Sequence, residues 1–143
     1  GRYVIVINEL NSTVSSLLFN RTSGELKEVC TCSTLPDDFT GDNTGADIHL
    51  SVNGQFVYAS NRGHNSLAVY YLDPISGFLR ILQHQSVLGK TPRNFTIHPS
   101  GKYLLVANQD SDSIQIFLMN PDNGKLGHIG ESFQIHKPVC LLF

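Results

Sequence analysis

Charged residues are scarce in this sequence, and long apolar runs are absent. Only 15% of the 143 residues are charged and the formal net charge is −2, which leaves no electrostatic basis for binding nucleic acid or an anionic membrane. No run of 18 apolar residues occurs, so no membrane-spanning helix is predicted. The first residues, GRYVIVINE (1–9), lack the order of charged, apolar and cleavage regions found in a signal peptide. Nucleic acid and membranes are therefore excluded as predicted partners.

Cysteine is scarce as well, with three residues in the chain. Cys30 and Cys32 fall on one face of a predicted strand, and three thiols are too few for a disulfide framework, so we predict a reducing, cytoplasmic location. A metal site built from Cys30, Cys32 and Cys140 lacks a fourth ligand and the ligand spacing of a zinc site. We expect buried thiols, no metal and no cofactor.

The signatures of several catalytic mechanisms are also missing. The sequence contains no G-x-S-x-G motif, no H-E-x-x-H motif and no Gly-rich phosphate loop. An acyl-enzyme mechanism and a metal-dependent mechanism therefore have no support in the sequence.

What the sequence does contain is a threefold repeat. Gly1, Gly54 and Gly101 open three copies that align without gaps over an apolar run, a polar turn, a second apolar run and a Gly turn. Self-similarity at about 40–50 residues is typical of propellers and other stacked arrays. The equivalent positions include Asn8, Asn61 and Asn108; Thr13, Ser66 and Ser113; Gly24, Gly77 and Gly124; and Leu26, Leu79 and Leu126.

Each copy divides into short apolar segments rich in β-branched and aromatic residues and bounded by turn residues. No segment shows helical periodicity over a useful length, so we predict an all-β fold, a fragment of a β-propeller with about three four-stranded antiparallel blades. The blades are placed at about 1–45, 46–91 and 92–137. Their second strands are apolar on both faces and are expected to be the most buried, because a blade packs between two neighbours. In the third copy the segments are RNFTIH (93–98), YLLVAN (103–108), IQIFLM (114–119) and LGHIGESFQI (126–135).

Both ends of the chain interrupt the repeat. The first copy lacks its opening strand, and PVCLLF (138–143) resembles the opening strand of the third copy. We interpret the chain as the C-terminal part of a longer protein in which residues 138–143 are a closing strand that joins a blade begun at the other terminus. The stability of these blades is then expected to depend on the remaining blades of the full-length chain.

The segment TLPDDFTGDNTG (34–45) makes the first copy longer than the second. It is predicted to form a long loop between two blades. A loop of this length can be a lid over a functional site or a tolerated surface excursion, and the sequence does not choose between them.

The predicted topology brings polar residues together at one end of the blades. In an up-and-down blade the first strand begins, and the second strand ends, at the same end of the sheet near the axis. We therefore expect two arginines, a carboxylate, an imidazole and two amides to converge there. These residues are Glu9, His49, Asn61, Arg62, Arg93 and Gln109.

Several segments together resemble a known family. They are VINELNSTV (6–14), residues 34–70, residues 91–117 and the terminal PVCLLF (138–143). In this order they resemble the C-terminal portion of the seven-bladed propeller lactonases, which include the propeller-type 6-phosphogluconolactonases and the related fungal carboxymuconate cyclases. The resemblance covers essentially the whole chain.

The resemblance implies a lactone hydrolase that converts 6-phosphogluconolactone to 6-phosphogluconate in the pentose phosphate pathway. The alternatives are a carboxymuconate-type lactonising cyclase and a non-catalytic propeller that binds a ligand. Glu9 and Arg62 match proposed active-site positions of the family. The Gly-Pro-Arg-His segment of the family is absent from these residues, so the chain alone holds an incomplete catalytic set and is expected to be inactive.

Lactone opening needs a base to activate water and a donor or cation to stabilise the oxyanion. Glu9 is the candidate base, His49 is an alternative base, and Arg62 is the candidate oxyanion or carboxylate partner. Arg93 could bind a phosphate or carboxylate with its two-pronged guanidinium. Asn61, His64 and Gln109 complete the predicted substrate-binding set, although the recurrence of Asn61 in every copy also favours a structural role in capping a turn.

Overall fold

The computed structural model describes residues 1–143 as eleven strands in three antiparallel sheets, which confirms the all-β prediction. The one helical element is a 3₁₀ turn, Gln109–Ser111, and no helix is long and apolar enough to span a bilayer. The first sheet contains β1 (Tyr3–Asn8), β2 (Thr13–Phe19) and β3 (Leu26–Ser33). The second contains β4 (Thr44–Leu50), β5 (Phe56–Arg62), β6 (Ser66–Leu72) and β7 (Leu79–Ser86). The third contains β8 (Pro92–Ile97), β9 (Tyr103–Asn108), β10 (Ser113–Met119) and β11 (Leu126–Gln134).

Each sheet is one propeller blade, because its strands pair in sequence order from the first to the last. In the middle blade β4 pairs with β5, β5 with β6 and β6 with β7, all antiparallel. Thr44 at the start of β4 lies opposite Arg62 at the end of β5. The beginning of a first strand and the end of a second strand therefore meet at one end of the blade, which is the end where the candidate site was predicted.

Two of the repeated glycines are explained by contacts between blades. Gly77 and Gly124 each adopt a positive φ in the hairpin turn before the outer strand. A Cβ atom at Gly77 would overlap the ring of Tyr3, and one at Gly124 would overlap the ring of Phe56. In both places the turn of one blade packs on an aromatic ring that belongs to the preceding blade. The glycine is required because only a residue without a side chain permits this approach.

Two apolar clusters hold the three blades together. One contains Val14 of the first blade with Val57 and Tyr70 of the middle blade. The other joins the middle and third blades and contains Tyr58, Phe95, Leu104 and Phe117 among its members. Such faces are the largest source of stability in a stacked array, because each blade buries apolar area only against its neighbours.

The burial of each second strand depends on the number of blades that pack against it. Phe56–Asn61 of β5 is fully buried, but β6 is buried to nearly the same extent. In β1, by contrast, Val4 and Val6 are 38% and 36% exposed. The prediction that second strands are the most buried is therefore wrong for the first blade, because no strand and no sheet covers this side of β1.

Residues 138–143 form no strand, but they lie where the next first strand would lie. The Leu141 N–H donates to Asn94 Oδ1 at 2.6 Å. One blade earlier, the Phe95 N–H donates to Asp47 Oδ2 at 3.0 Å. Asp47 and Asn94 occupy equivalent positions in β4 and β8. Residues 138–143 therefore contact the third blade in the same way as β8 contacts the middle blade. Its role as a closing strand stays a prediction.

Asp47 is one of the polar links between the middle and third blades. Its Oδ2 accepts from Asn94 Nδ2 at 2.7 Å and from Phe95 N, and it lies 3.1 Å from His49 Nε2. Burial raises the pKa of Asp47, but the hydrogen bonds from His49, Phe95 N and Ile48 N outweigh burial and hold the pKa below its ordinary value. The ionised carboxylate is thus the form that the fold stabilises.

We expect Asp47→Asn to lower the free energy of unfolding by about 1–3 kcal/mol, because one acceptor oxygen is replaced by a donor that faces N–H groups. The contribution of Asp47 should be complete above the pKa of the unfolded chain and should be lost as the pH falls through the lower folded pKa. The measurement is urea denaturation of the full-length protein, followed by circular dichroism at neutral pH and at about pH 3. Asp38→Asn is the control, since Asp38 is exposed. Equal midpoints for the two variants at neutral pH would contradict the assignment.

Candidate active site

Glu9 and Arg62 form an ion pair between two adjacent blades. Glu9 follows the last residue of β1, and Arg62 is the last residue of β5. The two positions are equivalent in the repeat, so both side chains lie at the same end of their blades. Arg62 Nη2 lies 2.5 Å from Glu9 Oε1. The side chain of Glu9 is 60% exposed and that of Arg62 is 22% exposed, so the carboxylate is the more accessible partner.

Gly45 fixes the approach of these two residues. Its N–H donates to the Glu9 carbonyl oxygen at 2.9 Å, and its carbonyl accepts from Arg62 Nη2 at 3.0 Å. A Cβ atom at position 45 would lie 2.9 Å from Ile7 Cδ1, so a larger residue would push the first blade away. Sequence reasoning did not select Gly45, and the repeat gave no indication, because the equivalent residue in the next blade is Pro92.

The pair keeps unused hydrogen-bonding capacity. Glu9 Oε2 accepts no hydrogen bond within the chain, and Arg62 Nη2 makes all the hydrogen bonds of the guanidinium. Arg62 Nε is buried and has no partner. A carboxylate oxygen open to solvent can take a proton from water, and a guanidinium with free N–H groups can donate to an anion.

Gln109 and Arg93 lie at the same end of the third blade. Gln109 occupies the position equivalent to Glu9 and Arg62, and its N–H donates to Thr91 O at 3.0 Å. Arg93 lies in the irregularity at the start of β8, between Pro92 and Asn94. Its side chain is exposed and forms no ion pair. Both residues border the candidate site without contacting the Glu9–Arg62 pair.

His49 does not contact this pair. In the register of the middle blade it lies opposite Tyr58, whereas Arg62 lies opposite Thr44. Four residues of strand separate Tyr58 from Arg62, about 13 Å at 3.3 Å per residue. The ring instead packs edge-on against Phe95 at 4.7 Å, with Nε2 on Asp47. The predicted convergence of His49 with Glu9 is therefore wrong, because the side chain lies well inside the strand and not at its end.

Asn61 faces away from the pair and is completely buried. Its Nδ2 donates to Thr34 O at 2.7 Å and to Ser66 Oγ at 3.3 Å. Its Oδ1 accepts from Thr34 Oγ1 at 2.6 Å and from Asn43 Nδ2 at 3.1 Å. Since neighbouring residues of a strand point to opposite faces, Asn61 cannot share the exposure of Arg62. The structure overturns its assignment to substrate binding and favours the structural alternative.

The equivalent Asn108 makes a weaker version of the same link. Its Nδ2 donates to Val87 O at 3.0 Å, and its Oδ1 is buried without a partner. We expect Asn61→Ala to lower the free energy of unfolding by about 1–3 kcal/mol more than Asn108→Ala, because only Asn61 leaves several buried groups unpaired. Urea denaturation of both variants of the full-length protein measures the difference. Equal losses would show that the extra hydrogen bonds of Asn61 add no stability.

His64 lies against the loop between β3 and β4. Its Nδ1 lies 2.7 Å from Ser66 Oγ, and its backbone N–H donates to Asn43 Oδ1 at 3.0 Å. Its ring packs edge-on against Phe39 at 4.9 Å and lies 6.1 Å from the ring of His84. His64 is therefore enclosed by the loop before β4 and does not contact Glu9 or Arg62.

The loop between β3 and β4 is packed onto the blades. Thr34 is buried; its N–H donates to Ser12 O at 2.8 Å, and its Oγ1, whose hydrogen is donated to Asn61 Oδ1, lies 2.9 Å from the same carbonyl oxygen. Asn43 contacts residues of both adjoining turns. Both ends of the loop are therefore bound to the turns that carry the candidate site.

The cysteines lie away from this site. All three are free; Cys30 and Cys32 are half-buried and Cys140 is exposed, which corrects the expectation of buried thiols for Cys140. Burial, together with the neighbouring Cys30, raises the pKa of the Cys32 thiol. Cys32 and His84 line a cleft of about 450 Å³ on the outer side of the first two blades. Nowhere in residues 1–143 are three or more His, Cys, Asp or Glu side chains grouped to hold a metal ion.

Comparison with known proteins identifies the family of this fold and site. The family model for lactonases with a seven-bladed β-propeller matches residues 1–143. The 6-phosphogluconolactonase of Bacillus subtilis (strain 168) is 34% identical over 142 residues, which cover 99% of this chain and 41% of that protein. A solved structure from Lactobacillus plantarum superposes with a TM-score of 0.94 at 33% identity, over 98% of this chain and 41% of the other.

A second solved structure is the periplasmic gluconolactonase of Pseudomonas aeruginosa, with a TM-score of 0.91 and 34% identity over 96% of this chain and 38% of the other. The chain thus spans less than half the length of the relatives it matches. The family model, in contrast, matches the chain from end to end. The chain belongs to the lactonase family of seven-bladed β-propellers.

Proposed function

We propose that the protein containing this chain is a lactone hydrolase and that 6-phosphogluconolactone is its substrate. The observation that carries the proposal is the ion pair between Arg62 and the exposed carboxylate of Glu9 at one end of adjacent blades. The names of relatives support the substrate class, since they include a 6-phosphogluconolactonase and a gluconolactonase. Because the chain spans 41% of the Bacillus relative, the remaining part of the protein is expected to supply further site residues.

In the proposed reaction Glu9 acts as general base. Water attacks the lactone carbonyl carbon while Glu9 Oε2 takes one of its protons, and the carbonyl oxygen becomes an oxyanion. Collapse of the tetrahedral intermediate breaks the bond to the ring oxygen, which leaves as a hydroxyl after receiving the proton from Glu9. The products are an alcohol and a carboxylic acid on one open chain, and the acid then releases its proton to solvent and becomes a carboxylate. No covalent bond to the protein forms.

Arg62 is assigned to the oxyanion. Its Nη2 is occupied by Glu9 and Gly45, so the donors left for the substrate are on the rest of the guanidinium. A fixed positive charge that is 22% exposed is partly shielded from water, and this strengthens its interaction with a developing negative charge. The carbonyl of Gly45 holds the guanidinium in place before substrate arrives.

Arg93 is proposed as the anion anchor of the substrate. It is exposed at the same end of the next blade and has no carboxylate partner, so its charge is available for a phosphate. Gln109 lies at the adjoining turn and offers an amide for a sugar hydroxyl. This arrangement favours a lactone that carries a phosphate at a distance from the reacting carbonyl.

The substrate is tested by comparing 6-phosphogluconolactone with unphosphorylated gluconolactone, using the full-length protein and subtracting spontaneous ring opening. We expect faster hydrolysis of the phosphorylated lactone. A preference for gluconolactone would remove the phosphate role of Arg93 while leaving the hydrolase. Formation of a lactone from a carboxymuconate, with no hydrolysis of either sugar lactone, would identify a cyclase instead.

A reducing, cytoplasmic compartment is part of the proposal. Its support is that Cys30, Cys32 and Cys140 are all free, whereas the Pseudomonas relative is periplasmic. Cell fractionation with an antibody against the full-length protein decides between the two compartments.

A further inference from the structure

We propose that Asn43 is a positioning residue that sets the geometry of the Glu9–Arg62 pair. Its effect on turnover rests on the proposed lactone hydrolysis, but its effect on the geometry of the pair does not. Asn43 lies at the end of the long loop, one residue before β4. It contacts neither reacting group, and it binds the two turns from which these groups project.

The first set of contacts is to the turn after β1. Asn43 Nδ2 donates to Ser12 Oγ at 2.9 Å, and Ser12 Oγ lies 3.3 Å from the Asn43 carbonyl oxygen. Ser12 is 5% exposed and has a positive φ of 54°. It ends the four-residue turn that begins with Glu9. The side chain of Asn43 therefore holds the turn that carries the carboxylate.

The second set of contacts is to the turn after β5. Asn43 Nδ2 also donates to Asn61 Oδ1 at 3.1 Å, and Asn43 Oδ1 accepts from the His64 N–H at 3.0 Å. Asn61 directly precedes Arg62, and His64 follows it by two residues. One amide thus binds the chain on both sides of the arginine while it holds the turn of its partner.

The backbone around Gly63 allows this arrangement. Gly63 has a φ of +129°, and a Cβ atom there would overlap the carbonyl oxygen of Asp42. The loop and the arginine turn are therefore in direct backbone contact beside Asn43. Any side chain at position 63 would force the loop outward and separate Asn43 from its partners.

The junction between the middle and third blades lacks this long loop. There the connection is shorter, and Lys90, at the position equivalent to Asn43, binds the next turn through its backbone, with its N–H donating to Ser111 Oγ at 3.0 Å. Asn108, the counterpart of Asn61, is left with a buried Oδ1 that has no partner. The long loop and its amide occur at the junction that carries the Glu9–Arg62 ion pair.

An ion pair as exposed as this one does not fix its own geometry. Surface pairs contribute little to stability, because solvent competes for both charges. Catalysis, in contrast, depends strongly on the placement of the reacting groups, and a displacement of about 1 Å can cost about 100-fold in rate. The half-buried amide of Asn43, which is bonded to both turns, supplies the constraint that the pair itself lacks.

The test is a kinetic double-mutant cycle in the full-length protein. Asn43→Ala is expected to lower kcat for lactone opening by about 10–100-fold, with a change in KM below about threefold. In a Glu9→Gln background the same substitution should cost less than about threefold, because the base it positions is already gone. Asn53→Ala is the matched control, since Asn53 also bonds a turn through its Oδ1 but at the opposite end of the blade.

The variant Asn43→Asp distinguishes a loss of positioning from a folding defect. It keeps the acceptor for the His64 N–H and removes the donations to Ser12 and Asn61, so the same loss of kcat is expected in a folded protein. An equal loss from Asn43→Ala in both backgrounds, or no loss of kcat, would overturn the inference.

A crystal structure of the full-length Asn43→Ala variant separates this inference from the proposed function. We expect the distance between Arg62 Nη2 and Glu9 Oε1 to exceed about 4 Å, the limit of an ion pair. If this distance stays at its wild-type value, Asn43 does not position the pair, whatever the protein catalyses. If the pair separates but the wild-type protein opens no lactone, the positioning role stands and the proposed function fails.

Discussion

Replacing Glu9 by Gln is expected to lower kcat for lactone opening by about 10²–10⁴-fold, the range that a positioned general base contributes. Gln has nearly the same shape and keeps an oxygen that can accept from Arg62 Nη2, so the turn after β1 should be preserved. What it loses is the ability to take a proton from water. The measurement is steady-state hydrolysis of 6-phosphogluconolactone by the full-length protein, corrected for spontaneous opening.

The control for this variant is Glu25→Gln. Glu25 is exposed in the hairpin turn of the first blade, at the end opposite to the candidate site. It changes the net charge by the same amount, so any effect of overall charge on substrate encounter appears in both variants. A kcat for Glu9→Gln that matches the kcat of Glu25→Gln would remove Glu9 from the mechanism.

Replacing Arg62 by Lys is the second substitution with a large expected effect. Lysine keeps the positive charge, but a single ammonium cannot both replace Nη2, which binds Glu9 and Gly45, and supply the other guanidinium N–H groups to the oxyanion. If Arg62 stabilises the oxyanion, kcat should fall on the order of 10²-fold with a smaller change in KM.

Two roles of Arg62 are distinguished by which of the two kinetic constants, kcat or KM, changes. An arginine that only anchors the substrate carboxylate would raise KM and leave kcat unchanged. Arg80→Lys is the control, because Arg80 is exposed and its guanidinium stacks on Tyr71, in an outer strand away from the pair. Unchanged constants in Arg62→Lys would exclude both roles.

The fold could be predicted from the sequence because the repeat fixes equivalences that local propensities do not. The positions of Asn8, Asn61 and Asn108 occur at corresponding ends of β1, β5 and β9, as the repeat requires. The same equivalence brings Glu9 and Arg62 to one end of adjacent blades. The repeat does not predict that they touch, because this depends on how closely two blades approach at Gly45.

Two site assignments failed for reasons that strand geometry explains. Asn61 was grouped with Arg62 because they are neighbours in sequence, but alternation along β5 buries one and exposes the other. His49 was placed at the start of β4, whereas the strand begins at Thr44. The first strand starts earlier than the apolar pattern indicates, because Thr44 is polar and Gly45 belongs to a residue type that is depleted in strands.

Asn43 could not be predicted at all. Its loop is longer than the corresponding connection before the third blade, the equivalent residue there is Lys90, and a single Asn among Asp, Gly and Thr residues is typical of a turn. Its contacts join residues from three separate parts of the chain, Ser12, Asn61 and His64. Only the packed arrangement of two blades and a loop shows what the amide does.

The rate of 6-phosphogluconolactone opening by the full-length protein, measured beside Glu9→Gln and the spontaneous reaction, tests the proposed function most directly. We predict a wild-type rate well above the spontaneous rate and a Glu9→Gln kcat lower by about 10²–10⁴-fold. A wild-type rate equal to the spontaneous rate would contradict lactone hydrolysis by this protein.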